Sequence, residues 1–448
     1  MDFVIMKSLF LFVALLCSSS LVLSAEQLSL EAAVQRALNN DVWLQGSELR
    51  QAALGARSIA AGELPDPIVN LGLRNLPLDS FSLSREPMTQ VSLGITQHFP
   101  RGETRRLRQE RLIQLSQAEP HLRADRSLKV ALQVTEIWLQ AYLAEKTARL
   151  IEADRGLFEH LVDVAESSYS TTVGKTRQQD LIRAQLELTR LDEKLISLRE
   201  RFDAHRARLS QWVGFVEQSA VMTLMPRLDI DQLPDVASTS VRRVLESGDS
   251  GSIIDSQLLQ HPRVVAIDQK VAAAATDVDL AQQGYKPQWG LSTAYAYRSD
   301  ERVDRDDFLS VGFSFDLPIF TGRRQDQQVA AATRELESMR LERVLVLRAL
   351  RADFAAVLAE HQRLQERLEL YSSRLLREMD EQAEASLQAY TNDDGDFAEA
   401  VRARIADLNA RIDVFSIEVS LLSLQARANY LLAGERPATE TVGASNHE

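Results

Sequence analysis

Residues 392–400 read NDDGDFAEA, three aspartates within four positions around Gly395. Clustered carboxylates can attract a cation, share a proton or cap a helix. Asp396 with Glu399 has the spacing of a capping box, which uses up one of the three. Asp393 and Asp394 have no local use beyond turn propensity. A second stretch, YSTTVGKTRQQD (169–180), puts Thr176 and Gln179 at the same capping spacing behind Gly174 and Lys175. Asp180 then falls in the first turn of a helix, where the positive helix end favours a carboxylate. No other stretch has the pattern of a catalytic site. The histidines at 98, 121, 160, 205, 261, 361 and 447 form no HExxH and no close pair, and there is no GxSxG or phosphate-binding loop. Met222 and Met225 in VMTLMP are soft-metal donors by type, but in an apolar connector they read as packing. No catalytic, cofactor-binding or metal residue is expected, and the chain reads as non-enzymatic.

The elements that position those acidic stretches begin after residue 25. Lys7, the apolar run Ser8–Leu16 and the small-residue exit LVLSA have the form of a secretory signal peptide spanning 1–25. That run is too short to cross a bilayer as a helix, which takes about 20 residues. Cys17 is the only cysteine, and Leu16 stands where lipid attachment needs a small residue, so Cys17 reads as part of the signal. The exported chain then has no thiol. Net charge is −13, with no basic face for nucleic acid.

The remainder is written twice. VSLGITQHFP (91–100) answers LSVGFSFDLP (309–318), Gly62 and Pro65 answer Gly284 and Pro287, and Tyr169 and Gly174 answer Tyr390 and Gly395, in one order and about 220 positions apart. The first repeat covers 26–214: a helix over 29–62 with Ser29 as N-cap, strands over about 66–75 and 88–99, and a helical hairpin over 103–213 with its tip near 170–176. The second covers 256–434: a helix over 255–284, strands over about 287–298 and 307–317, and a hairpin over 322–432 with its tip near 391–396. A small irregular connector, 215–255, joins them, and 435–448 reads as a disordered tail. Each returning hairpin arm carries an apolar seam at alternating spacings of three and four. In the first it is Leu181, Ala184, Leu188, Leu191, Leu195, Leu198 and Phe202; in the second, Val401, Ile405, Leu408, Ile412, Phe415, Val419 and Leu422. The charged remainder of these helices is expected to meet water.

All four strands alternate large apolar residues with small or polar ones, the pattern of membrane β-strands. Asn70, Ser92, Thr96, Ser292, Ser310 and Ser314 fall on the small side and suit a wet lumen. Tyrosine and tryptophan fall on the large side and are expected together toward the second repeat's outer end, as in an aromatic girdle. Four strands cannot close a barrel, which needs about eight to hold even side chains. An open edge in hydrocarbon leaves unpaired amides costing several kcal/mol each. Other copies of the chain must complete the ring, and three copies, giving twelve strands, suit a wet lumen better than two. Arginines in RGETRRLRQER (101–111) and GRR (322–324) stand where strand becomes helix, either as a solvated face or as a junction with neighbouring subunits or lipid phosphates.

The strand pair, the long helical hairpin, the LPDP turn and GKTRQQDLIRAQ together resemble the TolC family of trimeric outer-membrane efflux ducts, over about 26–434. PDPIVNLGLRNLP and QVSLGITQHFPRGE look closest to its heavy-metal branch, the CusC/CzcC-like proteins. The resemblance implies an α+β membrane protein that assembles as a homotrimer in the outer membrane of a Gram-negative bacterium. Its twelve-stranded barrel would be continued by a periplasmic α-helical barrel. Implied partners are a periplasmic adaptor, an inner-membrane pump of the RND type and outer-membrane lipid. In such a trimer the first tip (Gly174, Lys175, Thr176, Asp180) and Gly395 would face the adaptor. Asp393, Asp394 and Asp396 would ring the periplasmic mouth and select cations. The cargo expected from the branch is metal cations; drug efflux, protein secretion and a non-transporting periplasmic scaffold are the alternatives.

Overall fold

A computed structural model of the chain describes residues 27–170, 178–214, 227–247, 252–392 and 395–433. The expected signal peptide with Cys17, the first-tip residues Gly174, Lys175 and Thr176, Met222 and Met225, the pair Asp393 and Asp394, and the tail 435–448 lie outside the described residues.

In the first repeat the elements are α1 (Leu30–Asn40), α2 (Val42–Gly62), β1 (Ile68–Arg74), β2 (Gln90–Phe99), α3 (Thr104–Ser170) and α4 (Gln178–Val213). A short helix α5 (Thr239–Ser247) follows. The second repeat has α6 (Ser252–Leu259), α7 (Pro262–Gln282), β3 (Trp289–Arg298), β4 (Phe308–Phe315), α8 (Gln325–Leu370), α9 (Leu376–Thr391) and α10 (Phe397–Leu431). The strands fall within two residues of their expected ends.

Three features differ from expectation. The opening helices are each broken once, at equivalent places. Asp41 caps α2 by accepting from Trp43 N at 3.0 Å, and His261 caps α7 by accepting from Arg263 N at 3.2 Å ahead of Pro262. A mid-helix cap residue offers the backbone a local alternative to continuing the turn. Ser29 does cap α1, accepting from Ala32 N at 3.2 Å. Secondly, the connector is only partly irregular: it contains α5, and Leu228 forms a parallel bridge with Leu28. Thirdly, a π-helical turn, Tyr371–Leu375, separates α8 from α9. Gly102 answers Gly322 at an offset of 220, while Tyr169 answers Tyr390 at 221. The extra residue between those anchors is what one π turn accommodates.

The chain divides into two units. One comprises Met1–Asn40, Val130–Val236 and Arg363–Ala426, and its described residues are mainly helical, with the Leu28–Leu228 bridge and an irregular stretch over 229–236. Its apolar seams are buried together: Ala184, Leu191, Leu195 and Leu198 of α4 share one cluster with Val401 and Leu408 of α10, flanked by Leu181, Leu188, Ile405 and Ile412. A second cluster packs Leu28, Ala33 and Ala37 against Val134, Trp138, Leu209 and Val419. Trp138 Nε1 donates to Leu28 O there at 3.3 Å.

The other unit, Asp41–Lys129, Ala237–Gln362 and Arg427–Glu448, holds the sheet. Its strand order is β1-β2-β3-β4, antiparallel throughout, so β1 and β4 are open edges. Among the described residues no helix is long and apolar enough to cross a membrane. At the start of α7, His261 Nδ1 accepts the capping bond, which leaves Nε2 to donate to Tyr430 O at 3.1 Å. The Tyr430 ring lies edge-on to it at 5.1 Å, and its hydroxyl donates to Asp125 Oδ1 at 3.1 Å. Lys129 Nζ holds the other Asp125 oxygen at 2.6 Å.

Burial pushes the His261 imidazole below its ordinary pKa, and His205 and His361 shift the same way for the same first cause. An unfolded histidine titrates near pH 6.5, so the folded state binds fewer protons just below that pH. The stability due to neutral His261 is therefore present above about pH 6.5 and is lost as pH falls toward the folded value. Asp41 occupies the equivalent place in the first repeat, a short polar cap of the kind asparagine also makes. His261→Asn should keep the cap and cost about 1 kcal/mol at pH 7.5. Its thermal midpoint should fall less than that of the parent between pH 7.5 and pH 5.5. Parallel melting curves across that range would contradict the assignment.

Candidate functional site

The sheet has two chemically distinct faces. Directly opposed residues form rows across its strands: Leu71, Leu93, Tyr295 and Leu309; Val69, Ile95, Thr293 and Val311; Leu73, Val91 and Tyr297; Phe99, Trp289 and Phe315. These rows make one face, and it is exposed: Leu71 is 79% and Phe313 75% accessible. Its aromatic residues separate to two ends. Trp289 packs on Phe315 at 5.2 Å between ring centroids, beside the helix junctions, while Tyr295 and Tyr297 stand toward the strand ends that lead into the β3–β4 loop. The sequence reading had placed tyrosine and tryptophan together at one end.

The other face carries Asn70, Gly94, Ala294 and Ser310 in one row, and Gly72, Ser92, Ala296 and Phe308 in the next. Thr96 lies opposite Ser292, and Ser314 opposite Gly290. All six expected lumen residues therefore share one face. Ile68 and Phe308 are the large apolar exceptions on it, and the longer polar side chains Arg74, Gln90, His98 and Arg298 stand toward its ends. Serine is set against glycine repeatedly: Ser92 Oγ donates to Gly72 O, and Ser292 Oγ to Gly312 O, each at 3.2 Å. A Cβ on Gly312 would meet Ser292 Oγ at 2.7 Å. The hydroxyls need bare backbone beneath them, and so the face is both polar and thin.

Where strand becomes helix, Arg101 forms an ion pair with Asp316 and donates to Gly284 O at 2.9 Å and Lys286 O at 3.2 Å. Asp316 also accepts from Gln288 N at 2.6 Å. Arg106 pairs with Glu110 at 2.7 Å and with Glu103. Arg101 thus ties the two repeats of one chain together, a role neither sequence reading had given it. Arg323 and Arg324 are exposed.

At the second tip, Asp396 caps α10, its Oδ1 accepting from Ala398 N at 3.2 Å. Tyr390 and Phe397 meet edge to face at 5.1 Å across the turn. A Cβ on Gly395 would stand 2.7 Å from Tyr390 N and 2.9 Å from Ala389 C, so the tip closes only over glycine. Asp180 is in the first turn of α4 but is buried, which leaves little of its carboxylate for a docking partner.

One cluster escaped the sequence reading. Asp407 is fully buried, with Arg411 Nη2 at 2.8 Å and Arg404 Nη1 at 3.7 Å. Asp380 lies 3.5 Å from Arg411, Asp154 3.8 Å from Arg411, and Glu384 3.9 Å from Arg404. Burial pushes the Asp407 carboxyl up, against the pull of both arginines. Arg404, Asp407 and Arg411 repeat at spacings of three and four beside the apolar seam. That spacing was the available signal that this charged stripe faces inward and not to water. Among the described residues no group of three or more histidine, cysteine or acidic side chains is placed to hold a metal ion.

The fold has solved counterparts. The chain matches the outer-membrane channel OprN over 91% of its own length and 90% of that chain, at 16% identity and a TM-score of 0.71. It matches the channel-forming protein CusC over 92% and 93%, at 13% identity and 0.71. It matches the outer membrane protein VceC of Vibrio cholerae over 90% and 96%, at 15% identity and 0.70. The fold is that of outer-membrane channels. No protein-family model matches the sequence, and no curated protein does.

Gly395→Ala should cost about 1–3 kcal/mol of local stability by overpacking the turn, read as faster amide exchange around Tyr390 and Phe397. Gly156→Ala, on an open face of α3 with nothing within 4 Å, should instead gain about 0.5–1 kcal/mol. Equal effects at the two sites would overturn the steric account.

Proposed function

We propose that this chain is the exit duct of a tripartite export system, a TolC-type homotrimer in the outer membrane of a Gram-negative bacterium. The observation that carries the reading is a four-stranded sheet with two open edges, one large apolar face and one thin polar face. Lipid accepts the first face and water the second, but hydrocarbon tolerates neither edge. Three copies give twelve strands and a lumen wide enough for passage. Trp289 and Tyr297 are eight residues apart, about 27 Å along a strand, or roughly 20 Å along the normal at a tilt near 40°. That approaches the roughly 25 Å apolar band of such barrels.

In this reading transport is passive, and specificity lies with an inner-membrane pump of the RND type and a periplasmic adaptor. The adaptor meets the hairpin tips at Gly174, Lys175, Thr176 and Gly395. Metal cations are the proposed cargo. The support is the sequence likeness of 65–77 and 90–103 to the heavy-metal branch, and the Asp393, Asp394 and Asp396 cluster, which threefold symmetry repeats around one mouth. OprN, CusC and VceC are about equally similar to the chain, so the fold does not favour one branch.

Outer-membrane fractions should yield an SDS-resistant, heat-labile trimer that forms cation-selective channels in planar bilayers. Asp393→Lys with Asp394→Lys should reverse or abolish that selectivity while leaving the trimer intact. A water-soluble monomer would refute the duct; unchanged selectivity in the double variant would refute only the acidic mouth. A deletion strain should become sensitive to metal cations before drugs, and the opposite order would reassign the cargo.

A further inference from the structure

Both hairpins leave the sheet for their helices past one aromatic row, Phe99, Trp289 and Phe315, and the charges just beyond that row are not treated alike. Most are spent inside the chain. Asp316 holds Arg101, Arg106 lies between Glu103 and Glu110, and Arg111 pairs with Asp277 at 2.7 Å. Asp326 accepts from the Tyr285 hydroxyl at 2.6 Å. Arg323 and Arg324 are exposed and, among the described residues, have no carboxylate partner.

Their position makes this costly. Thr321 O accepts from Arg324 N at 3.2 Å and from Asp326 N at 3.1 Å, so both arginines stand at the start of α8. Unsatisfied N–H groups make that end of a helix positive, and cations beside it are disfavoured. Gly102 answers Gly322, so the first repeat has Glu103 and Thr104 in the same two places and keeps the rule. A local rule kept in one repeat and broken in the other calls for a compensating partner. The apolar residues ahead of the arginines also lack cover. Ile319 N donates to Leu317 O at 2.9 Å, turning the chain around Pro318. Leu317, Ile319 and Phe320 are all exposed, Phe320 at 89%, and they follow directly on the exposed apolar face.

We propose that Leu317–Arg324 is a docking surface for anionic phospholipid. Phe320 and its apolar neighbours enter the hydrocarbon, and Arg323 and Arg324 take the headgroup phosphate. This goes beyond the duct reading and rests on it, because that reading puts the sheet in lipid. An arginine fork matches two phosphate oxygens at once, and an anion at the start of α8 also relieves the clash between the arginines and the helix end. Charge narrows the occupant. The chain carries −13 overall and repels an anionic surface elsewhere, so a lipid contact needs a local basic patch. Basic residues next to exposed aromatic and aliphatic ones are the form of an interfacial anchor. A second copy is a poorer occupant, since the carboxylate in the matching place of its first repeat, Glu103, is already held by Arg106.

Trp289 lies against Phe315 and reports on lipid at this end of the sheet. The full oligomer is reconstituted into mixed bilayers of phosphatidylcholine and phosphatidylglycerol, with tryptophan-quenching bromine on the acyl chains of one lipid or the other. An arginine near an anionic surface contributes about fivefold in relative binding, so phosphatidylglycerol should be preferred by about fivefold or more. Arg323→Gln with Arg324→Gln should bring that preference to about unity. Arg74→Gln, at the far end of the sheet, should leave it unchanged. Equal quenching by the two lipids, or a preference that survives loss of the arginine pair, overturns the proposal and leaves the duct standing. Loss of the preference in Arg74→Gln overturns it as well, by placing the contact at the other end. Loss of the SDS-resistant ring in the arginine variant assigns the pair to a subunit contact and has the same consequence. A protein that stays in water and enters neither bilayer overturns the duct reading itself, and this proposal falls with it.

Discussion

An unpaired backbone amide has almost no acceptable place in hydrocarbon, and in the proposed duct that constraint organises the sheet. The sheet presents a broad apolar face, yet its edge strands β1 and β4 leave N–H and C=O groups without protein partners. Water would satisfy those edges but reject the face; lipid would accept the face but reject the edges. In the proposed ring, pairing with identical strands meets both demands. The duplication makes this easy, because a chain that already joins repeat to repeat through β2 and β3 has shown that the end of one hairpin fits the start of the next.

The thin face is the second consequence. In the proposed barrel, bulky side chains along the middle of this face would narrow the lumen. Serine over glycine solves this by returning each hydroxyl to a carbonyl across the strand pair, so the wall is polar at the backbone level. The same glycines are places where a Cβ has no room.

Much of this was legible in advance because strand alternation and repeat spacing are local, additive signals. The six small-side residues share one face, since a period of two leaves no freedom once a strand exists. Features set by partners distant in sequence were not legible. Asp41 and His261 sit mid-pattern in helices whose apolar period gives no hint of a break, and His261 is committed by Tyr430, far along the chain. Arg101 looked like part of a solvated arginine run because its partner, Asp316, belongs to the other repeat. The π turn at Tyr371–Leu375 was hidden in an offset that changes by a single residue.

The buried charges of the helical unit address a weakness of its apolar seams. Leucine and alanine repeating every three and four residues identify which helices meet but set their relative height poorly, since a slide of one or two turns places leucine near leucine again. Asp407 ends that degeneracy. It is enclosed between Arg404 and Arg411 of its own helix, and those arginines reach Asp380 on α9 and Asp154 on α3. Sliding α10 would carry both arginines away from the fixed carboxylates of two neighbours at once. An uncompensated buried charge costs about 3–5 kcal/mol, more than a repacked leucine contact returns, so the height with all partners in place wins.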